Sequence, residues 1–440
     1  MQLTLQLYTA GSWQDVMRLD FEKPEQGQES PCSFAYDQQY LVDHLDMLGR
    51  CTSQAVSAKV PVSWDLYRTP GIPAFLLDIL PAGAARRFLL ARLAIPEGDG
   101  TAADLTLLRR CTPAPIGHLR IKESFEALGQ GSSLGFDRNE VIARDSRFLE
   151  YAYEQGAAVG GATGAGGEAP KLLLAQDGSG LLHPDATLSD EEVRQHWFVK
   201  FSRNKGNESD RTILKSEFCY YQALERIGFN VVSCTGMRLE EARKPSLWMT
   251  RFDRQVDEQG VRRLAVESVY SLAEITRPGS YMTHVQAMTA LADAWSANGQ
   301  QDEIPQLVAE YLQRDLINQI LSNSDNHGRN TSILRDQTRL ALAPIYDLAP
   351  MVMDEEGVTR TTKWPEPIER AGEVDWLAAC RSLSAWANPD ELYDGLRKDA
   401  RRLLALPDLL SEGGLPQRAF RHPRIPLSRL KTALSAWGLS

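Results

Sequence analysis

The residue types and spacings best suited to chemistry in this chain are in Ser324-Asp325-Asn326-His327-Gly328-Arg329-Asn330 and the following Pro344-Ile345-Tyr346-Asp347. Asp325 and Asn330 lie five residues apart in a polar loop, and Asp347 follows the next apolar segment, Leu340 to Tyr346. Phosphoryl transfer with Mg²⁺ needs such a set. One carboxylate takes the proton of the attacking hydroxyl, and an amide and a second carboxylate hold the metal on the nucleotide phosphates. Two other readings stand beside it. Asp-Asn-His-Gly is also good turn chemistry, and Asp325, His327 and Asp347 could serve as ligands in a metal-dependent nuclease.

Several other elements must position that set. Val159 to Gly167 holds Gly160, Gly161, Gly164, Gly166 and Gly167, then leads through Glu168-Ala169-Pro170-Lys171 into a strand at Leu172 to Leu174. Glycines let successive amides converge on an anion, but such a stretch also suits a flexible linker. Trp197 to Phe201 reads as a short apolar strand carrying one lysine, Lys200. A buried lysine needs an anionic partner, either a phosphate or Glu217 on the next helix. That helix is expected over Ser216 to Ile227, capped by Ser216 and stopped at Gly228. Asn230 to Leu239 reads as a strand. Ser246 to Arg254 reads as a strand leaving into a charged loop, which in a two-lobed kinase is the hinge that meets the adenine edge.

Alternation in Leu3, Leu5, Leu7 and later in Phe34 and Tyr36 predicts a small N-terminal sheet, with a loop over Gln26 to Pro31. Tyr40 to Leu48 and Ile72 to Leu93 read as helical, the second interrupted at Pro81. A short helix is expected over Asp104 to Arg110, a strand over His118 to Ile121, and a loop over Gly129 to Ser133. From Val285 on the pattern is mainly helical: Val285 to Trp295, Ile304 to Leu321, Asp375 to Ser382, Glu391 to Leu406 and Leu427 to Leu439. A hairpin of Thr331 to Arg335 with Leu340 to Tyr346 flanks the polar loop.

At 440 residues with 43% apolar and 24% charged residues, the chain should form two or three packed units. A formal net charge of −10 argues against coating nucleic acid by bulk charge. Local basic runs remain as candidate patches: Arg418, Arg421, His422, Arg424, Arg429 and Lys431, and Arg397, Lys398, Arg401 and Arg402. Six scattered cysteines without a CxxC pair suit neither zinc nor a disulfide framework and read as cytosolic. Nothing at the start reads as a signal peptide, and no apolar run nears the ~20 residues that span a bilayer. A cytoplasmic protein without membrane contact is expected.

The order of these parts resembles the HipA family, toxin kinases of bacterial toxin–antitoxin pairs. Gly166-Gly167-Glu168-Ala169-Pro170-Lys171 is similar to the family's GG-x-x-PK loop, Phe198-Val199-Lys200 to its ATP-binding strand and Arg251-Phe252-Asp253-Arg254 to its RFDR segment. Asp325 to Asn330 is similar to its D-x-H-x-x-N catalytic loop, Tyr346-Asp347 to its YD metal motif, and Leu80-Pro81 and Pro115-Ile116-Gly117 to N-terminal features of the family.

The resemblance implies an α+β, two-lobed protein-kinase-like fold with an N-terminal β-rich subdomain and a mainly helical C-terminal lobe. Its divisions would be residues 1–125, 126–254 and 255–440. It implies a serine/threonine protein kinase using ATP and Mg²⁺ on a protein substrate, the family's best-known substrate class being an aminoacyl-tRNA synthetase. It also implies a small helix-turn-helix antitoxin as partner, DNA contact through that partner or a local basic patch, and dimers in the complex. Carried over, Asp325 is the base, Asn330 and Asp347 are metal ligands, and Glu217 supports Lys200. Gly164, Gly166, Gly167, Lys171, Lys200, Arg251, Phe252, His327 and Arg329 bind nucleotide or shape its loop. Where the family commonly carries a self-phosphorylated serine, two places before the GG pair, this chain has Gly164 with Thr163 beside it. Thr163 is the candidate substitute. A non-catalytic co-repressor module built on the same fold is the alternative reading.

Overall fold

Leu3, Leu5 and Leu7 alternate along one strand, and all three side chains are buried, so the N-terminal sheet forms where the period-2 pattern places it. In a computed structural model, which describes residues 1–96, 101–128, 133–144, 146–159, 169–204, 206–258 and 260–440, this sheet contains β1 (Gln2–Thr9), β2 (Ser12–Phe21), β3 (Cys32–Tyr36), β4 (Tyr67–Thr69) and β5 (Leu119–Ile121), in the order β4-β3-β2-β1-β5. The β1–β2 turn uses Ala10 and Gly11, both at positive φ (49° and 77°), the geometry that matches strand twist in a two-residue hairpin. The helical run expected over Ile72 to Leu93 divides at Pro81 as expected, but the part before the proline is only a short 3-10 turn, Ala74–Asp78, followed by the helix Gly83–Arg92. Pro81 disfavours helical angles at Leu80 and parts the two.

A second sheet forms the floor of the site. It contains β6 (Ala158–Val159), β7 (Lys171–Asp177), β8 (Leu182–Pro184), β9 (Val193–Phe201), β10 (Arg238–Glu240) and β11 (Ser246–Thr250), running β10-β11-β9-β7-β6 with β8 paired to β7. Behind it lies the helix Glu208–Ile227, which starts well before the expected Ser216. Asn207 and Asp210 form a reciprocal capping box there, each side chain accepting from the other's backbone N–H. Ser216 is inside the helix and donates its hydroxyl to the Thr212 carbonyl at 2.7 Å. The strand expected over Asn230 to Leu239 reduces to β10, because the chain turns at Gly236 (φ 73°). Val231 makes only a lone bridge to Ile345.

The segment after β11 is not an open charged loop. It is a hairpin, β12 (Arg254–Asp257) with β13 (Gly260–Arg263), leading to β14 (Ala265–Ser268). After the short β15 (Met282–Thr283), β16 (Ser332–Arg335) and β17 (Leu340–Leu342) make the expected hairpin, but β14 pairs with β16 as a third strand that the sequence did not announce. The helices His284–Ala297 and Ile304–Ile320 pack with Trp376–Ser382, Pro389–Leu403 and Leu430–Ala436 around a core that includes Leu291, Leu312, Leu316 and Ile320. All are near their expected places, as their helical apolar spacing dictates. Among the described residues, no helix is long and apolar enough to cross a membrane. The six cysteines are unpaired.

Two buried polar clusters join the N-terminal subdomain to the rest. Arg335 on β16, fully enclosed, donates to the carbonyls of Cys51, Thr52, Ala55 and Val56 at 2.8–3.3 Å. Glu267 on β14 accepts from Ser57 Oγ (2.5 Å) and Ala58 N–H (2.8 Å). At the other cluster, Asp253 accepts the Gly117 N–H at 2.8 Å, and Arg254 donates to the Gly117 carbonyl at 2.7 Å.

Candidate active site

Lys171 on β7 and Lys200 on β9 are direct cross-strand partners, so both side chains leave the sheet on one face. Like charges in that position repel, and the chain answers with a carboxylate between them. Asp347 Oδ2 accepts from Lys171 Nζ at 2.9 Å and Oδ1 from Lys200 Nζ at 2.5 Å. Lys200 also donates to Glu217 Oε2 at 2.6 Å. Glu217 in turn accepts from the Tyr221 hydroxyl, which accepts the Leu348 N–H, both at 3.1 Å. Burial alone would lower the Lys200 ammonium's pKa. Asp347 and Glu217 outweigh it and raise that pKa. Burial would likewise raise Asp347, yet the two lysines hold its carboxyl well below the usual range. In this triad Lys200 and Asp347 therefore stay ionised at neutral pH.

Asp347 does not stand at a strand end as the apolar run Leu340 to Tyr346 suggested. β17 stops at Leu342, since Pro344 has no N–H to continue the ladder. Asp347 takes a left-handed φ of 53°, an angle that acids tolerate better than most side chains.

The polar loop faces this triad. Asn323 Oδ1 accepts the Asp325 N–H at 3.2 Å while its Nδ2 reaches the Asp347 carbonyl at 3.4 Å, fastening the two segments to each other. Asn330 donates Nδ2 to the Asp325 carbonyl at 2.7 Å, which leaves its amide oxygen as the end suited to a hard cation. His327 Nδ1 accepts the Arg329 N–H at 3.2 Å, so the neutral ring carries its hydrogen on Nε2, 3.7 Å from Asp325 Oδ1. Burial, aided by Arg329 and Lys171, lowers the His327 pKa to about 3 against the pull of Asp347, so the ring is neutral across the physiological range. Gly328 is required by contact: a Cβ there would fall 2.1 Å from the Tyr270 ring. Tyr346 donates its hydroxyl to the Arg329 carbonyl and stacks on Phe252, ring centroids 5.6 Å apart.

These groups border two openings. A cavity of about 150 Å³ is lined by Lys171, Lys200, Asn330 and Asp347 at its charged end. Phe198, Val232, Met249 and Phe252 are among its apolar lining residues, and Leu77, Asp78 and Ile116 come from the N-terminal subdomain. A second, smaller cleft brings Asp325 beside Lys171, Lys200 and Asp347. The site thus gathers Asp325, Asn330, Asp347, Lys171, Lys200 and Glu217, with Arg329 and Phe252 on the cavity wall. Arg251 also reaches that wall, but its guanidinium is held by Asp185 and Asp253 at 2.6–2.9 Å. Thr163, Gly164, Gly166 and Gly167 lie outside the described residues. The donor set fits Mg²⁺ with phosphate: one carboxylate and one amide oxygen for the ion, two lysines for the anion. Among the described residues, no group of three or more His, Cys, Asp or Glu is arranged to hold a metal by itself, and His327 is committed to Arg329.

Sequence reasoning missed Asn323, Tyr346 as a loop clamp, and Asp78. Only Asp78 left a clear trace, a single acid inside the apolar run Phe75 to Leu80.

The HipA-like C-terminal domain matches residues 163–401, more than half of the chain. The chain belongs to the HipA family. Among solved structures it is similar to HipA of Shewanella oneidensis MR-1, taken from a complex of the HipA, HipB toxin–antitoxin system with its operator DNA. The TM-score is 0.61 at 19% identity, covering 99% of this chain and 96% of that one, which shows a shared fold. The proinflammatory kinase CtkA of Helicobacter pylori aligns at 12% identity with a TM-score of 0.30 over 54% of this chain and 91% of that one, too low to carry an argument. No curated protein matches the chain.

Proposed function

We propose that this HipA-family protein is a serine/threonine protein kinase that transfers the γ-phosphate of Mg·ATP to a protein hydroxyl, acting as the toxin of a toxin–antitoxin pair. The observation that carries this reading is the cross-strand pair Lys171 and Lys200, each bonded to one oxygen of Asp347 at the floor of a cavity that also takes in Asn330. The lysines are a preformed counter-charge for phosphates. Asp347 and Asn330 would hold Mg²⁺, which supplies charge neutralisation on the phosphate oxygens when bound. The apolar part of the cavity, with Phe252 and Met249, would take the base. Asp325 accepts the proton of the incoming hydroxyl from the smaller cleft. Its backbone N–H is fixed by Asn323 and its carbonyl by Asn330. Neutral His327 aims Nε2–H towards it.

A small helix-turn-helix antitoxin is the proposed partner, because the Shewanella HipA of the same fold was solved with HipB and operator DNA. DNA contact would come through that partner or a local basic patch.

Incubation with γ-labelled ATP, Mg²⁺ and a host lysate tests the reading. Label should appear on a discrete protein. Asp325→Asn should abolish that label while ATP binding largely survives, and undiminished labelling by the variant would refute the base assignment.

A further inference from the structure

Asp78 has no part in the chemistry proposed above, yet its carboxylate faces the cavity that holds it. It closes the 3-10 turn Ala74–Asp78 of the N-terminal subdomain. Oδ2 accepts the Ser268 N–H at 2.8 Å, and Oδ1 accepts the Ser268 hydroxyl at 2.7 Å while lying 3.9 Å from Nε of Arg329. Ser268 ends β14, next to β16, the strand into which the loop 324–330 leads. Arg329 is pinned at both backbone ends, its N–H on His327 Nδ1 and its carbonyl under the Tyr346 hydroxyl. Ordering its long side chain costs entropy. The carboxylate it faces is set in place by two bonds to a different element. An acid placed in an otherwise apolar run, Phe75 to Leu80, is costly unless it has such partners.

We propose that Asp78 is a positioning residue for Arg329, so that the N-terminal subdomain completes the nucleotide site. This rests on the kinase reading. Leu77, Leu80 and Ile116 of the same subdomain line the cavity beside it, so the subdomain supplies a wall as well as the charge beside the guanidinium. Arg329 then meets nucleotide already aimed, without paying the ordering cost on binding.

The test is the dissociation constant of Mg·ATP, measured by calorimetry on the full chain for wild type, Asp78→Asn, Arg329→Gln and the double variant. Asn keeps the shape and an acceptor for Ser268 but removes the charge. Asp78→Asn should weaken binding about tenfold, and the double variant should bind no more weakly than Arg329→Gln alone, because the two act as one unit. A merely structural Asp78 would give losses that multiply. Multiplying losses, or wild-type affinity in Asp78→Asn, would overturn the proposal. Should Asp78→Asn not fold, Ser268→Ala takes its place: it removes one bond from the intact carboxylate and should weaken binding in wild type but not in Arg329→Gln. Equal weakening in both backgrounds, or none in either, would overturn the proposal. A wild-type chain that does not bind Mg·ATP would instead defeat the kinase reading itself.

Discussion

Paired ammonium groups on adjacent strands would repel if the carboxylate between them were absent, and the three charges of Lys171, Lys200 and Asp347 make sense only as a unit. Lys200 was legible because a lone lysine in an apolar strand must have an anionic partner. Glu217 was one of the two partners considered, and the structure adds Asp347. That Lys171 would sit opposite Lys200 was not legible, because strand register is set by the whole ladder and leaves no mark at one residue. Asp78 yields a pH-dependent consequence. Burial pushes its carboxyl up to about 6 from 3.8, with Glu267 adding to the shift and Arg329 and Ser268 opposing it. The folded state therefore holds the proton more tightly than the unfolded chain, so the charged form costs stability above about pH 6 and the cost is absent below about pH 4. Asp78→Asn is expected to melt above wild type at pH 8 and together with it at pH 4. Melting below wild type at pH 8 would show that the carboxylate is there for stability.

At the level of elements, the loop 324–330 was the most legible part. The chemistry proposed for it demands particular side chains at particular spacings, and Asp325 and Asn330 stand at such a spacing. The elements that hold it were less so. The strand run Leu340 to Tyr346 was overextended because apolar character continues past Pro344, where the ladder cannot. The helix start at Asn207 was overlooked in favour of Ser216, although Asn207 and Asp210 carry the capping-box spacing. Tyr270, against which the loop packs, is far away in sequence and left no local signal. Its ring is held in place by its hydroxyl bond to the Ser280 carbonyl at 2.5 Å, so it cannot yield to a methyl group at position 328. Gly328→Ala should cost about 1–3 kcal/mol in denaturant unfolding and reduce phosphate transfer more than tenfold, an estimate for a loop displaced by about 1 Å. A variant with normal stability and turnover would show that the close approach is unimportant.

For the molecule as a whole, the sequence suggested a separate N-terminal sheet, and that sheet has its own apolar core. Its attachment to the rest was hidden. The pairs that make it, such as Arg335 with the 51–56 carbonyls and Glu267 with Ser57, are more than 200 residues apart, and contacts at such distances leave no periodicity to read. Arg335 is the central case, a fully buried cation on four carbonyls with Glu267 3.5 Å away. Arg335→Ala leaves those groups unpaired and should cost about 3–5 kcal/mol, read as a lower thermal midpoint for the whole chain. A change confined to a separate, early transition would mean that the subdomain melts on its own.

Asp347 and its lysines are the proposed seat of Mg·ATP, and calorimetric titration of ATP with and without Mg²⁺ into wild type and Asp347→Ala tests that most directly. Wild type should bind ATP with a strong dependence on Mg²⁺, and that dependence should vanish in Asp347→Ala. Equal Mg²⁺ dependence in the two proteins would contradict it.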